Sequence, residues 1–383
     1  MTALATLPVD RLPRLRIGCE RRRLGRNAEC RLLTESPLKG IGRSHHSFET
    51  MKKPTRPNEA TPVQALRDED VELEQLRPRL TALYNRLGFK IRRVHQIAQA
   101  IFADACADLG ITTTQYGLMY ALNELGPLDQ ITIARLIGLD RSTTGLVVGL
   151  LEKRNILSRR PSVEDGRRRI LHLTSAGQEM FAKLERPAER SMVRLLDSLS
   201  TRERRQLTLL LTRLVDDTDV PPDLASKSLR LKPLLQRPGF LIRRAHQRSA
   251  AVFSRECKDL QLTSTQYGVL QVLDKSDLID QVTLARLIAV DRSTIALVIS
   301  LLISRGSIAK VADTHDRRRR LLSLTEAGRE LLAAANPLAQ RALDNLNEVY
   351  SDEERAWLLK ALDRIISRHE ARFSTVPDST EVH

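Results

Sequence analysis

Apolar residues recur every three or four positions along the first strongly patterned segment of the chain. They are Leu76, Leu80, Leu83, Leu87, Ile91, Val94, Ile101 and Ala105. Residues at this spacing share one face of an α-helix, because the helix turns once in about 3.6 residues. We therefore predict an amphipathic helix of about thirty residues whose apolar face needs a partner surface.

Four pairs of polar residues have the spacing of a capping box. In this motif a serine or threonine and a glutamine or glutamate three residues later satisfy the first free backbone N–H groups of a helix. The pairs are Thr112 with Gln115, Thr263 with Gln266, Ser200 with Glu203, and Ser351 with Glu354. Each pair predicts the start of a helix.

The segment between these helices predicts two short helices and a hairpin. The short helices cover about 131–138 and 142–154. β-Branched and apolar residues then flank a charged turn, SVEDGR, so Ile156–Pro161 and Arg168–Leu173 are predicted to pair as antiparallel strands. The predicted order is four helices, a hairpin and two helices, which is a mainly α fold with a small β-hairpin wing.

The same order is predicted twice, because the sequence superimposes on itself after a shift of 151 residues. Gly88–Gly177 aligns without a gap on Gly239–Gly328, and 43 of these 90 pairs are identical. Solenoid repeats have periods of about 20–50 residues. The pattern therefore predicts two copies of one domain joined in a single chain.

The duplication divides the chain into five predicted segments. Residues 71–217 and 228–372 form the two domains, and the linker 218–227 contains two prolines and small polar residues. Residues 1–70 have no counterpart in the repeat, and we predict a basic, disordered tail in which Met51 is a candidate alternative start. Residues 373–383 form a C-terminal tail.

Composition narrows the classes of partner. The 383 residues include 62 Lys and Arg against 47 Asp and Glu, and the formal charge of +15 favours a polyanion, either nucleic acid or an anionic membrane. Aromatic residues make up only 3%, too few for the platforms that stack single-stranded bases, so a duplex fits better. No apolar stretch is long enough to cross a bilayer. The four cysteines have no zinc-site spacing, which argues against a metal site and a disulfide framework, so a reducing cytoplasm is the default location. No cofactor is predicted.

Two motifs carry a resemblance to a known family. Two short helices followed by a basic hairpin are typical of a winged helix-turn-helix. RLIGLDRSTTGLVVGLLEKRNIL (135–157) and EDGRRRILHLTSAG (164–177), with their counterparts in the second copy, resemble the MarR family of transcriptional regulators. Members of that family are homodimers with interlocking terminal helices. The resemblance implies two winged helix-turn-helix domains that share a helical dimerisation core, as an intramolecular pseudo-dimer.

The resemblance also implies which residues contact DNA. The second short helix of each copy would be a recognition helix in the major groove, the hairpin would contact DNA beside it, and the operator would have two half-sites about one DNA turn apart. The predicted DNA-binding residues are Arg141, Ser142, Thr143, Thr144, Arg167, Arg168, Arg169, Arg292, Ser293, Thr294, Arg317, Arg318 and Arg319. Two alternatives stay open: Asp140 and Ser142 only cap the helix, and the arginine runs are only a solvated surface.

A small-molecule site is implied as well, because family members bind small aromatic acids between the dimerisation helices and the DNA-binding lobe. Cationic and hydrogen-bonding groups beside apolar walls suit an anionic aromatic ligand. The predicted ligand-binding residues are Arg92, His95, Tyr116, His246 and Tyr267. The alternative is that these are ordinary packing residues. Cys106 and Cys257 are predicted to be small buried hydrophobes.

The resulting hypothesis is a repressor that a small aromatic acid releases from DNA. No enzyme is predicted, because phosphate-loop, HExxH and nucleophile-plus-base patterns are missing from the sequence. One departure from the family is the apolar body of each recognition helix, GLVVGLLE (145–152) and ALVISLLI (296–303). Two alternatives follow: an interaction or sensor module without specific DNA readout, or a non-specific nucleoid-type binder. Exposure of those apolar side chains would favour the interaction module.

Overall fold

The structure is a computed structural model that describes residues 73–162, 168–215, 224–276, 278–313 and 320–373. The chain divides into two units, Met1–Glu59 and Ala60–His383, and every described residue belongs to the second unit. The predicted N-terminal tail with Met51, and most of the predicted linker and C-terminal tail, lie outside the described residues. We refer to residues 73–215 as the first half and to residues 224–373 as the second half.

The first half is mainly helical. Its helices are α1 (Thr81–Tyr84), α2 (Leu87–Ala105), α3 (Thr113–Leu125), α4 (Gln130–Ile137), α5 (Arg141–Lys153), α6 (Ser175–Leu195) and α7 (Thr201–Val215). Its strands are β1 (Leu128–Asp129), β2 (Leu157–Pro161) and β3 (Arg169–Leu173). Short 3-10 turns cover Arg77–Leu80 and Ala107–Leu109. The two predicted short helices are confirmed, with ends displaced by one residue.

The second half repeats this order. Its helices are α8 (Ala225–Arg230), α9 (Lys232–Leu235), α10 (Pro238–Glu256), α11 (Ser264–Lys275), α12 (Gln281–Ile288), α13 (Arg292–Ser304), α14 (Glu326–Asn347) and α15 (Asp352–Phe373). Its strands are β4 (Ile279–Asp280), β5 (Ile308–Ala312) and β6 (Arg320–Leu324). Because α8 begins at Ala225, the last three residues of the predicted linker belong to a helix.

The prediction of one continuous helix of thirty residues is wrong, because the structure divides this segment into separate helices. Helix α1 ends at Tyr84 and α2 begins at Leu87, and Arg86 between them has an extended backbone with φ −72° and ψ 128°. Its guanidinium lies 5.4 Å from the ring centroid of Tyr267 and donates to Ala339 O at 3.1 Å. These contacts with the second half outweigh the local helical preference.

All four predicted capping boxes are confirmed. The N–H of Thr112 donates to Gln115 Oε1 at 2.9 Å, and the N–H of Gln115 donates back to Thr112 Oγ1 at 3.3 Å. The pairs that begin at Thr263, Ser200 and Ser351 have the same reciprocal bonds. These helix starts are therefore specified locally.

Each predicted hairpin is confirmed, and each gains a third strand that the sequence did not predict. Strand β3 pairs with β2 and also with β1, with Leu128 opposite Leu171. Strand β6 pairs in the same way with β5 and β4. A strand of two residues is too short to show an alternating pattern, so only the tertiary pairing identifies it.

A close approach of backbone joins each hairpin to the next helix. Thr174 caps α6 by accepting the N–H of Gly177 at 3.0 Å, and a Cβ at Gly177 would overlap Ile156 O. Gly328 has the same relation to Ser307 O in the second half. The glycines of LTSAG and LTEAG are therefore required because no side chain fits there.

Two hydrophobic clusters form the core, and each includes residues from both halves. Leu73 and Leu83, near the start of the first half, pack in a cluster that holds most of the second half. Leu224 and Leu234, near the start of the second half, pack in the cluster that holds the hairpin and lobe of the first. The two halves thus exchange their N-terminal segments.

The long helices of both halves meet at the centre. Helix α2 packs against α10 and α15, and α10 also packs against α7. Across this contact Tyr350 Oη donates to Leu210 O at 2.9 Å, and Arg368 Nε bonds Asp197 at 3.1 Å. The amphipathic helix therefore has the partner surface that its pattern required.

Among the described residues, no single helix is long and apolar enough to cross a membrane. The pair α12 and α13 meets the length and composition requirement only when combined, and it is bent by 109°.

Candidate nucleic-acid interface and internal cavities

An aspartate caps α5, and it engages two of the predicted DNA-binding residues. Asp140 accepts from Ser142 Oγ at 2.6 Å and from the N–H and Oγ1 of Thr143 at 2.8 and 2.6 Å. These bonds, the one from Ser142 first, hold the pKa of Asp140 well below its ordinary value. The hydroxyls of Ser142 and Thr143 thus support the capping alternative.

The same cap begins α13. Asp291 accepts from Ser293 Oγ at 2.5 Å and from the N–H and Oγ1 of Thr294 at 2.8 and 2.6 Å. The pKa of Asp291 is lowered for the same reason. Both helices therefore begin with a rigid, locally determined turn.

The prediction for Thr144 is corrected. Its side chain is fully buried, and its hydroxyl donates to Asp140 O at 2.7 Å inside the helix. Ile295 occupies the equivalent position of α13 and is also fully buried. Thr144 thus belongs to the core, because its helical position faces inward, and its side chain does not reach the outer surface.

Arg141 and Arg292 are exposed at the first positions of α5 and α13. Each arginine directly follows the aspartate that caps its helix, so the capped turn fixes where its side chain leaves the backbone. This arrangement is compatible with contact to bases or phosphates.

The outer face of each of these helices is apolar. Val148 and Leu151 of α5 are buried, whereas Leu146 and Leu150 are 65% and 43% exposed. In α13 the equivalent Leu297 and Leu301 are 72% and 46% exposed. Part of the apolar body is therefore ordinary core, and the rest is exposed on the outer surface.

The hairpins carry arginines in two kinds of environment. Arg168 donates to Asp129 Oδ2 at 2.6 Å, and Arg159 bonds Glu152 at 2.9 Å. Arg160 and Arg169 are exposed near the turn of the first hairpin, where Pro161 pairs with Arg169. The predicted residues Arg167, Arg317, Arg318 and Arg319 lie outside the described residues.

Two cavities lie where the N-terminal segment of one half packs against the other half, and residues of both halves line each of them. We call them the Tyr116 cavity and the Tyr267 cavity. Every residue that lines the Tyr116 cavity has its equivalent, 151 positions away, in the wall of the Tyr267 cavity. Their walls are mainly apolar with a few cationic and hydrogen-bonding side chains, which suits a small organic ligand.

Each predicted ligand-binding residue lines one of these cavities. His95 and Tyr116 belong to the Tyr116 cavity, and Arg92, His246 and Tyr267 belong to the Tyr267 cavity. The sequence predictions missed three further arginines of the walls, which are Arg86, Arg237 and Arg243. The internal repeat could have revealed them. After the shift of 151 residues Arg86 aligns with Arg237, and the predicted Arg92 aligns with Arg243.

The tyrosines of the two cavities have different hydrogen-bonding partners. In the Tyr116 cavity, Arg237 Nη1 donates to Tyr116 Oη at 2.8 Å. In the Tyr267 cavity, Tyr267 Oη donates to Asn336 Oδ1 at 3.0 Å and accepts from Gln271 Nε2 at 2.7 Å. Burial is the main cause that raises the pKa of both tyrosines, to about 12 for Tyr116. Both phenols are therefore neutral hydrogen-bonding groups at physiological pH.

A pair of stacked histidines joins the two cavities. The rings of His95 and His246 have centroids 4.9 Å apart and planes inclined by 21°. Burial, the neighbouring His246 and Arg243 lower the pKa of His95 to about 3, and burial and Arg92 lower the pKa of His246. Both rings are neutral at physiological pH.

Two arginines connect the cavities to the helices that precede α5 and α13. Arg92 donates to Ile288 O at 2.6 Å and to Ala289 O at 3.1 Å, at the end of α12. Arg243 donates to Ile137 O at 2.5 Å, at the end of α4. Burial lowers the pKa of Arg92 and Arg243 to about 10, so both remain charged.

Glutamines strengthen the same contacts. Gln96 Nε2 donates to Ala289 O at 2.6 Å, and Gln247 Nε2 donates to Gly138 O at 3.0 Å. Each long helix thus holds the end of a short helix in the opposite half. That end lies only a few residues before the start of α13 or α5.

The described part of the chain contains no group of three or more His, Cys, Asp or Glu side chains that could hold a metal ion. Cys106 and Cys257 are buried, as predicted, and burial raises the pKa of both thiols.

Known proteins match segments about as long as one half of the chain. The MarR family profile matches residues 111–168. The HTH-type transcriptional repressor NicR of Pseudomonas putida is 33% identical over 135 residues, which are 35% of this chain and 85% of that protein. A putative transcriptional regulatory protein for the hcr operon of Thauera aromatica is 32% identical over 142 residues, 37% of this chain and 86% of that protein. Among solved structures, a probable transcriptional regulator from Pseudomonas aeruginosa is 36% identical, with a TM-score of 0.34, over 34% of this chain and 98% of that one.

Proposed function

The chain belongs to the MarR family, and from that premise we propose that it is a sequence-specific repressor of transcription that a small aromatic acid releases from double-stranded DNA. The observation that carries the proposal is the surface formed by α5 and the first hairpin. Arg141 is exposed at the start of α5, and Arg160 and Arg169 are exposed on the hairpin. This pairing of a helix with a basic hairpin is suited to a major groove and its flanking phosphates.

The second part of the proposal is that residues 71–217 and 228–372 are two fused copies of one domain that act as an intramolecular pseudo-dimer. What supports it is the exchange of N-terminal segments and the equivalence of the two cavities at a spacing of 151 residues. One chain would then provide two recognition helices, α5 and α13, for two half-sites.

The third part is that each cavity takes the carboxylate of an aromatic acid. Arg92, Arg86 and Tyr267 line one cavity, and Arg237 and Tyr116 line the other. A carboxylate competes well for an arginine that otherwise bonds neutral carbonyls, because charge-assisted hydrogen bonds are the stronger kind. Ligand that draws Arg92 away from Ile288 O would loosen α12 and shift α13 out of the arrangement that binds DNA.

An electrophoretic mobility-shift titration tests the first two parts. The probes are duplexes from the region upstream of the gene and a random-sequence pool from which the full chain selects its own site. We expect tight, salt-sensitive binding with one chain per duplex. Arg141→Ala should reduce the salt slope by about one unit, as the loss of one phosphate contact does. Arg202→Ala, an exposed arginine of α7, is the matched control and should leave the slope unchanged.

The outcomes separate the parts of the proposal. Failure to bind any selected duplex at moderate salt contradicts the repressor. Two chains per duplex contradict the pseudo-dimer and leave DNA binding intact. Benzoate or salicylate that leaves the shift unchanged at millimolar concentration contradicts the release by an aromatic acid.

A second candidate function is an interaction module that binds another protein through the outer faces of α5 and α13. The observation that favours it is the exposure of Leu146 and Leu297, which are 65% and 72% exposed. Binding of selected duplexes with a clear preference over random DNA decides against this candidate. It also decides against a non-specific nucleoid-type binder, which has no such preference.

A further inference from the structure

We infer that the exposed leucines of α5 and α13 read the 5-methyl groups of thymines in the major groove. The inference rests on the proposed function, because it needs a duplex against these helices. It assigns sequence specificity to Leu146 and Leu150 in the first half and to Leu297 and Leu301 in the second.

The position of these leucines is the first argument. Leu146 and Leu150 are four residues apart on α5, so they lie one above the other on one face of the helix. Val148 and Leu151 are buried on the opposite side, which fixes the rotation of the helix. Leu297 and Leu301 have the same relation on α13. The leucine face is therefore the face that a groove would meet.

The residues beside the leucines are small. Gly149 adjoins Leu150, and a Cβ at that glycine would have open space around it. The equivalent neighbour of Leu301 is Ser300, which is exposed. Small neighbours allow the helix backbone to approach the base edges, so the leucine side chains become the groups that reach deepest.

The chemistry of the groove then selects the base. A leucine side chain can neither donate nor accept a hydrogen bond. The major-groove edges of guanine, cytosine and adenine present polar donors and acceptors, whereas thymine adds a methyl group. A leucine placed over a polar edge removes water from it without replacing its hydrogen bonds, and a leucine placed over a thymine methyl buries apolar surface.

Charge decides between DNA and an apolar protein partner as the occupant of this face. Arg141 precedes the leucines of α5, and Lys153 follows them at the exposed end of the helix. Arg292 likewise precedes the leucines of α13 at the exposed start of that helix, where Ser304 stands at the position of Lys153. An apolar centre between cations matches a groove that carries methyl groups between two rows of phosphates.

Replacement of thymine by deoxyuridine tests the inference, because it removes the methyl group and keeps the base pair. The full chain is titrated with the duplex that it selects and with the same duplex carrying deoxyuridine at every thymine of the half-sites. We expect binding to weaken by about fourfold for each methyl in contact, the ratio that corresponds to the burial of one CH₂ group.

Variants assign the effect to the leucines. Leu146→Ala and Leu297→Ala should reduce the ratio of affinities for the thymine and deoxyuridine duplexes. Leu209→Ala, which replaces a leucine of α7 that is 59% exposed, should keep the wild-type ratio. Arg141→Ala should weaken binding to both duplexes and also keep the ratio, because its contacts do not involve the methyl group.

The results that overturn the inference differ from those that overturn the proposed function. Equal affinity for the two duplexes overturns the inference while the chain remains a DNA-binding regulator. An unchanged ratio in both leucine variants also overturns it, and a protein partner is then the remaining occupant of the leucine face. Failure to bind the thymine duplex at all overturns the proposed function.

Discussion

The two cavities are lined by equivalent positions of the two halves, but the polar groups that bond their tyrosines differ. Arg237 bonds Tyr116 in one cavity, whereas Asn336 and Gln271 bond Tyr267 in the other. Two identical chains related by a twofold axis have equal sites by symmetry. Two unequal cavities within one chain can therefore bind the same ligand with different affinities.

The two cavities also differ in the charge near their tyrosines. Glu185 lies close enough to Tyr116 to contribute to its raised pKa, and the equivalent residue near Tyr267 is the neutral Asn336. An anionic ligand in the Tyr116 cavity would meet a nearby carboxylate that partly offsets Arg237. We therefore expect the Tyr267 cavity to bind the anion more tightly.

The largest expected effect is on ligand affinity. Isothermal titration of the full chain with benzoate should give two sites of unequal affinity. Arg86→Gln should weaken the tighter site and Arg237→Gln the weaker one, each by about 10- to 100-fold, the range for a lost hydrogen bond to a charged group. Arg202→Gln should change neither site. A single class of sites, or the same change in both variants, would contradict the difference between the cavities.

The next effect is on stability as the pH falls. The unfolded chain protonates His95 near its ordinary pKa of 6.5, whereas the folded chain holds that pKa at about 3, so protons favour unfolding in between. The free energy of unfolding should be constant above pH 6.5 and decrease below it, by about 1 kcal/mol per pH unit for His95.

Denaturant titrations between pH 7 and 5 measure this decrease. The double variant His95→Gln, His246→Gln should show a smaller decrease than the wild type over that range. Both rings also face the charged Arg92 and Arg243, which should remain charged throughout. Equal pH dependence in the wild type and the double variant would show that the stacked pair is not the cause.

The smallest effect concerns the residues that end α4 and α12. Gly138 and Ala289 are equivalent, and both have left-handed backbone, with φ +63° and +51°. This conformation costs an alanine about 1 kcal/mol relative to glycine. We expect Ala289→Gly to stabilise the chain by up to about that amount.

The reverse change should have the opposite sign and be larger. A Cβ at Gly138 would overlap the guanidinium of Arg244, so Gly138→Ala adds a displaced side chain to the backbone strain. We expect a loss of about 1–2 kcal/mol. The measurement is the denaturant midpoint of both variants, and the same sign for both would contradict the explanation.

Local signals in the sequence were sufficient for the helix starts and the hairpins. A capping box needs only residues three apart, and the pairs at Thr112 and Ser200 formed as predicted. The pattern of apolar, polar and β-branched residues also gave the order of elements around α5. These features depend on neighbours along the chain, and local physics determines them.

Other features depended on residues that are distant in sequence. The break at Arg86 follows its contacts with Tyr267 and Ala339 in the other half. The burial of Thr144 depends on which face of α5 packs inward, although the isoleucine at the equivalent position 295 was a sign of a core site. The extra strands β1 and β4 exist only because β3 and β6 pair with them.

The sequence by itself therefore determined the internal repeat at 151 residues, the capped helices, the hairpins and the family. The tertiary structure alone decided that the first segment of each half packs against the other half. It also decided that Arg92 bonds the end of α12 and that the tyrosines of the two cavities have different polar partners. The physical reason is that caps and turns are satisfied within a few residues. Burial, cation placement and cavity shape depend on residues far apart along the chain, 121 positions for Arg237 with Tyr116 and 196 for Arg92 with Ile288.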